Sequence, residues 1–338
     1  MHRTRWASRW ITKLTSVILT AYLSANAQAA GITSMTVPAS GTEAALQAII
    51  WTPCAKAAGT VQMGIVTVQG VRDCAVERGG LPLIVISHGK GGSSLGHHDT
   101  ATALADAGFV VVTVNHPGDS YGDETGSGSL AIFESRPRDI SRLISFMTQH
   151  WQHRQQLKAG EVGVFGFSRG GYTTLSLIGA VPDVAAGAER FCSAGPFLNT
   201  SMCRQLKSDG VNIRAMPDPR VRAAVVVDPL NLFGASSFKA VRVPVQLWAS
   251  EAGGDGVEFS HIAAIQSKLP QAPDFHVARG AGHFAYLAPC PPILMQSAKE
   301  ICSDPKGFDR AGWHQKMNAD VVSFFQKNLS AGAGASDK

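Results

Sequence analysis

The stretch Val162-Gly163-Val164-Phe165-Gly166-Phe167-Ser168-Arg169-Gly170-Gly171-Tyr172 decides the fold. Residues 162–167 form a short apolar run that predicts a buried strand, and 171–178 carry apolar residues at helical spacing. Between the two stands Gly166-Phe167-Ser168-Arg169-Gly170, a Gly-x-Ser-x-Gly placed where a sharp strand-to-helix turn holds a serine in a strained backbone conformation. The flanking glycines have a physical reason: a side chain at Gly166 or Gly170 would collide with the neighbouring strand and helix. With 35 glycines in the chain, the pentapeptide alone could arise by chance. The strand before it and the helix after it make Ser168 the candidate nucleophile.

Working outward, short apolar runs at 83–87, 109–115, 162–167, 222–228, 243–249 and 275–278 predict strands rich in Val, Ile and Phe. Amphipathic stretches at 99–107, 138–153, 171–178, 259–269 and 320–329 predict the helices between and after them. Strand alternating with helix is the pattern of a mostly parallel sheet with crossover helices. Ahead of this core, 46–52 and 62–71 predict antiparallel strands that open the sheet. Residues 183–220, with two cysteines, Pro196 and Pro217, are the most irregular part and predict a small cap over its upper edge.

A serine hydroxyl is a weak nucleophile at neutral pH and needs a base. His283, in Gly280-Ala281-Gly282-His283-Phe284 after the last strand candidate, stands where an imidazole can take the proton and pass it to a leaving group. Among the eleven histidines, His97, His98, His150 and His153 read as structural or solvated. His116, in Asn115-His116-Pro117-Gly118, either lines the site or hydrogen-bonds its own loop. The acid that would orient His283 is open between Asp228 and Asp255, each after a strand candidate, with Glu251 a weaker third. A developing oxyanion needs two backbone donors, expected from the N–H groups of Arg169 and of Lys90 in Ser87-His88-Gly89-Lys90-Gly91-Gly92. That glycine-rich loop lacks the Lys-Ser/Thr pair of a phosphate loop, which discounts nucleotide binding. Tyr172 is a further expected lining residue.

The chain has 338 residues, 45% hydrophobic and 16% charged, with no linker or repeat, which suits one folded domain. Residues 1–29 read as a secretory signal: Arg3, Arg5, Arg9 and Lys13 precede the apolar run 14–23, and small residues permit cleavage after 27 or 29. Residues 30–338 are then the catalytic domain. Removing the four basic residues takes the formal net charge from +5 to +1. Lys and Arg form no stripe, so no nucleic-acid partner is expected. No stable membrane insertion is expected once the signal is gone. Six cysteines in an exported chain predict three disulfides, with short loops favouring Cys54–Cys74, Cys192–Cys203 and Cys290–Cys302. No cofactor or metal cluster is read from the sequence, and a monomer is expected.

Residues 83–92, the Asn115 to Gly118 turn, the Ser168 elbow and 243–290 together resemble the predicted dienelactone hydrolases, with platelet-activating-factor acetylhydrolases as relatives by pattern. The resemblance spans about 42–328. Its most specific parts are Val243-Pro244-Val245-Gln246-Leu247-Trp248, Gly280-Ala281-Gly282-His283-Phe284 and Leu287-Ala288-Pro289-Cys290. It implies an α/β-hydrolase fold. The dienelactone hydrolases use a cysteine nucleophile where this chain has Ser168, so lactone hydrolysis is not implied. In the acetylhydrolases the acid follows the sixth strand, which points to Asp228. In most α/β hydrolases it follows the seventh, where the loop 250–257 is about two residues longer than usual and weakens Asp255. The expected activity is hydrolysis of a small-molecule ester through a Ser-His-Asp triad and an acyl-enzyme. The alternatives are a thioesterase, amidase or polyester hydrolase on the same residues, or an inactive secreted binding protein.

Overall fold

The computed structural model describes residues 29–192 and 198–330; apart from Ala29, the expected signal segment lies outside the described residues. The chain opens with β1 (Ala29–Val37) and β2 (Leu46–Cys54), paired antiparallel along their length. Next come β3 (Gly59–Met63) and β4 (Val66–Arg72), an antiparallel hairpin. The expected single strand over 62–71 is thereby corrected. Gly64 takes φ 60°, open to glycine at no steric cost, and turns the chain back on itself. β1 was not anticipated, because its Ser, Thr and Gly content hides the alternation and its start abuts the signal.

The core follows as β5 (Leu81–Ser87), α1 (His98–Asp106), β6 (Val110–Asn115), α2 (Ile132–Gln149), β7 (Leu157–Phe167) and α3 (Arg169–Leu177). Two short helices, α4 (Val184–Cys192) and α5 (Ser201–Leu206), occupy the segment expected as a cap. Then come β8 (Val221–Val227), β9 (Val245–Ser250), α6 (Phe259–Gln266), β10 (Asp274–Ala278), α7 (Pro292–Ser297), α8 (Lys299–Cys302) and α9 (Arg310–Ser330). The strands make one sheet in the order β10-β9-β8-β7-β5-β6-β2-β1-β4-β3. From β10 to β6 all neighbours are parallel, as expected.

Parallel strands covered on both sides bury every residue, which is why they read as continuous apolar runs. In β5, Leu83 and Val85 belong to the core on the α2 and α3 side of the sheet, while Ile84 and Ile86 belong to the core with α1 and α9 on the opposite face. α2 starts at Ile132, ahead of the expected 138, because it contains Pro137. A proline there forfeits one helical hydrogen bond, and in sequence it reads as a boundary. α9 likewise starts at Arg310 and not 320, its first turn disguised by Gly312.

The parallel arrangement brings the C-terminal ends of β5, β6, β7, β8 and β9 to one edge of the sheet, and α4 and α5 lie over it. Among the described residues no helix is long and apolar enough to cross a membrane. The cysteines pair as expected: Cys54–Cys74, Cys192–Cys203 and Cys290–Cys302, with Cα separations of 6.0, 5.4 and 5.8 Å. The first ties the end of β2 to the residues after β4, the second joins α4 to α5, and the third closes the loop carrying α7 and α8.

Cross-linking loops of 11 to 20 residues stabilises a fold by about 3 kcal/mol each, mainly by restricting the unfolded chain. Thiol titration of denatured, unreduced protein is expected to find no free cysteine. The double substitution Cys54→Ala with Cys74→Ala is expected to lower the unfolding free energy by about 2–4 kcal/mol in urea titration. Six titratable thiols, or an unchanged midpoint, would overturn the cross-linked framework.

Candidate active site

Ser168 sits between β7 and α3 with φ 56° and ψ −115°, a conformation that costs about 1–3 kcal/mol for a residue with a side chain. Its surroundings hold it there. The Ser168 N–H donates to the Val227 carbonyl at 2.9 Å, and its carbonyl accepts from the N–H groups of Leu230 at 2.9 Å and Tyr172 at 3.1 Å. A Cβ at Gly166 would lie 2.0 Å from the Gly170 carbonyl oxygen, and one at Gly170 would lie 2.0 Å from that of Ser87. The two glycines of the pentapeptide are therefore sites of backbone contact between β7, α3 and β5.

His283 begins a short turn after β10 and is buried. Its Nδ1 is 2.7 Å from Asp228 Oδ2, and both side chains are 1% exposed. Asp228 follows β8 in the left-handed region, φ 43°, which Asp tolerates better than most residues. Its carboxylate also accepts from Ser250 N–H at 2.9 Å and Ser250 Oγ at 2.6 Å. Three donors thus satisfy a carboxylate that would otherwise be costly to bury. Ser250 was missed in sequence; as the last residue of the next strand, its position beside Asp228 was the available signal. The Phe167 ring lies 4.7 Å from the His283 ring and steadies its plane. His283 Nε2 makes no hydrogen bond among the described residues.

The loop 251–257 makes a different contribution from the one expected of its carboxylates. His283 N–H donates to the Gly253 carbonyl at 2.7 Å, and Ala252 N–H to that of Ala281 at 2.9 Å. Glu251 pairs with Arg279 at 2.6 Å and accepts from Gly280 N–H at 2.8 Å. This loop splints the backbone on either side of His283. Asp255 is exposed, with φ 49°, and borders a cavity with Lys90, Ser168 and Arg169. The cavity is about 20 Å³ and is also lined by Phe191, Met202, Cys203 and Leu230.

Gly89 brings the loop after β5 against the elbow: a Cβ there would stand 3.2 Å from the Phe167 ring and 3.3 Å from Ser168 Cβ. Lys90 and Arg169, the expected sources of two backbone donors, both border the cavity over Ser168. His116 and Tyr172, expected to line it, lie inside the protein. Tyr172 is fully buried, with its ring 4.7 Å from Phe133 and 5.3 Å from Phe233. His116 is fully buried between Ser87 Oγ at 2.9 Å and Asp139 Oδ2 at 3.0 Å. Burial holds the His116 imidazole well below its usual range and pushes the Asp139 carboxyl up to about 7. Of the histidines read as structural, His97 is buried between Phe165 and Phe167, 5.2 and 5.5 Å from their rings. His150 and His153 border Phe146 and Trp151.

The family described as serine aminopeptidase, S33, matches residues 81–232, the span from β5 to just beyond Asp228. A ferulic acid esterase from Streptomyces cinnamoneus is similar in structure, with a TM-score of 0.61 and 15% identity over 94% of this chain and 96% of that one. A dienelactone hydrolase from Anabaena variabilis has a TM-score of 0.50 and 17% identity over 88% and 98%. No curated protein matches the sequence. At these identities the two structures share a fold with this chain.

Burial pushes the His97 imidazole down to about 4 from an ordinary 6.5. Between those values the unfolded chain holds a proton that the folded protein refuses. Stability is therefore full above about pH 6.5 and is lost as pH falls toward 4, by up to about 3 kcal/mol from this residue. Urea unfolding at pH 7 and pH 4.5 should show the wild type losing stability on acidification, and His97→Phe losing roughly 2 kcal/mol less. Equal losses in the two proteins would rule out His97 as the source.

Proposed function

We propose that this member of the α/β-hydrolase superfamily is an exported serine hydrolase that cleaves carboxylic esters with Ser168 as nucleophile, His283 as base and Asp228 as acid. The observation that carries this reading is the buried 2.7 Å contact between His283 Nδ1 and Asp228, with the His283 ring packed on Phe167, the residue before a serine held on a strained elbow. Asp228 accepts a hydrogen bond from Nδ1–H, which fixes the tautomer that leaves Nε2 basic and stabilises the imidazolium once formed. Ser168 Oγ attacks the ester carbonyl as His283 Nε2 takes its proton. The tetrahedral oxyanion rests on the N–H groups of Lys90 and Arg169. His283 then protonates the departing alkoxide, and the same base activates water to clear the acyl-enzyme.

Export is supported by the basic, apolar leader in the sequence and by three disulfides, which persist in oxidising compartments. Ester chemistry accords with the names of the two similar structures, an esterase and a dienelactone hydrolase. Amide hydrolysis on the same residues is the second reading, favoured by the serine aminopeptidase match. Ester and p-nitroanilide substrates of one acyl group separate the two.

The apolar walls and small volume of the cavity over Ser168 favour a short acyl group. Hydrolysis of p-nitrophenyl esters is expected to fall by at least about tenfold in kcat/KM from acetate to octanoate. At matched folding, Ser168→Ala should abolish turnover, and Asp228→Asn should lower kcat by about 10³- to 10⁴-fold. Asp255→Asn should stay close to wild type. A large loss in Asp255→Asn with little in Asp228→Asn would reassign the acid. A wild type that turns over none of these esters and resists a fluorophosphonate probe would replace the hydrolase reading with that of a binding protein.

A further inference from the structure

The buried face of α2 carries Arg136 and Asp139 beside Ile132, Phe133 and Ile140. Charges in such a place are costly unless paired and hydrogen-bonded. Arg136 Nη1 donates to Asp119 Oδ2 at 2.8 Å, and Nη2 donates to the His88 carbonyl and lies 3.5 Å from Ser87 Oγ. The other Asp119 oxygen accepts from Arg169 Nη1 at 2.8 Å and from Ser127 Oγ. Arg136 and Asp119 are fully buried, and Arg169 nearly so. One carboxylate thus stands between two guanidiniums.

These contacts converge on the residues that carry the two oxyanion donors. Arg169 supplies one N–H itself. Lys90 supplies the other and lies two residues beyond the His88 carbonyl that Arg136 grips. The turn after β6 adds further ties to the same loop: Ser94 N–H to Asn115 Oδ1 at 2.6 Å, His116 N–H to His88 Nε2 at 3.3 Å and Tyr121 N–H to the Gly92 carbonyl at 2.7 Å. Asp139, His116 and Ser87 continue the scaffold. They repeat the Asp–His pairing of Asp228 and His283 with a serine on the far ring nitrogen, but Ser87 is fully buried, and none of the three borders the cavity over Ser168.

We infer that Asp119 is a positioning residue for the oxyanion hole: through Arg136 and Arg169 it locks the loop bearing Lys90 to the elbow bearing Ser168. The inference rests on the ester-hydrolase reading above. A backbone N–H points where its peptide plane points, so its position depends on what holds that peptide and its neighbours. A misplacement of about 1 Å at such a site can cost 10²-fold in rate. Neither Asp119 nor Arg136 borders the cavity over Ser168, so their effect passes through the peptides they hold.

The test uses the full chain with Asp119→Asn and Arg136→Lys, assayed on p-nitrophenyl acetate. Active sites are counted by fluorophosphonate titration, and inhibition is measured with a trifluoromethyl ketone, which forms an oxyanion adduct on the serine. The expected result is a fall in kcat per titrated site of about 10- to 100-fold with KM changed by less than about threefold. The ketone's inhibition constant should rise by the factor that kcat/KM falls, because both report binding of the oxyanion. If Asp119→Asn does not fold, Arg136→Lys carries the test, since an ammonium keeps the charge but cannot span Asp119 and the His88 carbonyl together. A purely structural role would lower the unfolding midpoint and the number of titrated sites while leaving kcat per site and ketone affinity at wild-type values, and that result would overturn the inference. A wild type inactive on esters and inert to fluorophosphonate would instead overturn the hydrolase reading and the inference with it.

Discussion

Everything at the candidate site depends on how closely β7, α3 and β5 approach at the Ser168 turn. Added side chains at Gly166 and Gly170 would lie 2.0 Å from backbone carbonyl oxygens, well inside contact distance. Such an approach leaves the turn one conformation, and Ser168 adopts φ 56° because its N–H and carbonyl are already committed to Val227 and Leu230. The strain of roughly 1–3 kcal/mol at Ser168 is offset by these bonds and by the burial of both faces of the sheet. Parallel pairing then sets the other pieces: β8 leads into Asp228, β9 ends at Ser250 and β5 leads into the Gly89 loop, all on the edge of the sheet where the elbow emerges.

Charge is placed in this site by pairing and not by exposure. Asp228 is sealed from water and carries three donors. Asp119 is sealed as well and carries two guanidiniums and a hydroxyl. The first arrangement orients an imidazole, and the second links the turn after β6 to α2 and to the start of α3. Removing one partner from either set would leave a buried charge without compensation, which is far more disruptive than losing an exposed ion pair. The exposed pair of Glu251 and Arg279 has a more modest part, holding the backbone just before His283.

The fold was legible because parallel strands buried on both faces leave continuous apolar runs, and the elbow was legible because its glycines are dictated by local contacts. What sequence left open was long-range. Asp228 and Asp255 both follow strands, and both take left-handed backbone angles, 43° and 49°. Nothing local says which of them reaches His283. Arg136, Asp139 and His116 carried a weak signal of another kind: titratable residues within or just after segments that are otherwise apolar. Pro137 obscured it by making the first part of α2 read as a loop, so the face that carries Arg136 had no helix assigned to it. The β3–β4 hairpin was missed for a local reason, a single glycine turn inside an otherwise continuous strand pattern.

The loop after β9 and the end of β8 both reach His283, by different kinds of contact. A loop that offers the acid must bring a side chain to Nδ1 of the histidine. A loop that splints the histidine must bring backbone to backbone. Residues 252 and 253 make the second kind of contact, and a Cβ at Gly254 would already lie 3.4 Å from His283 Cβ. With backbone occupying that side, the Nδ1 edge of the ring is met from the end of β8, where Asp228 is anchored by Ser250. The backbone of this loop and the carboxylate of Asp228 thus meet His283 on different sides, the first from the end of β9 and the second from the end of β8.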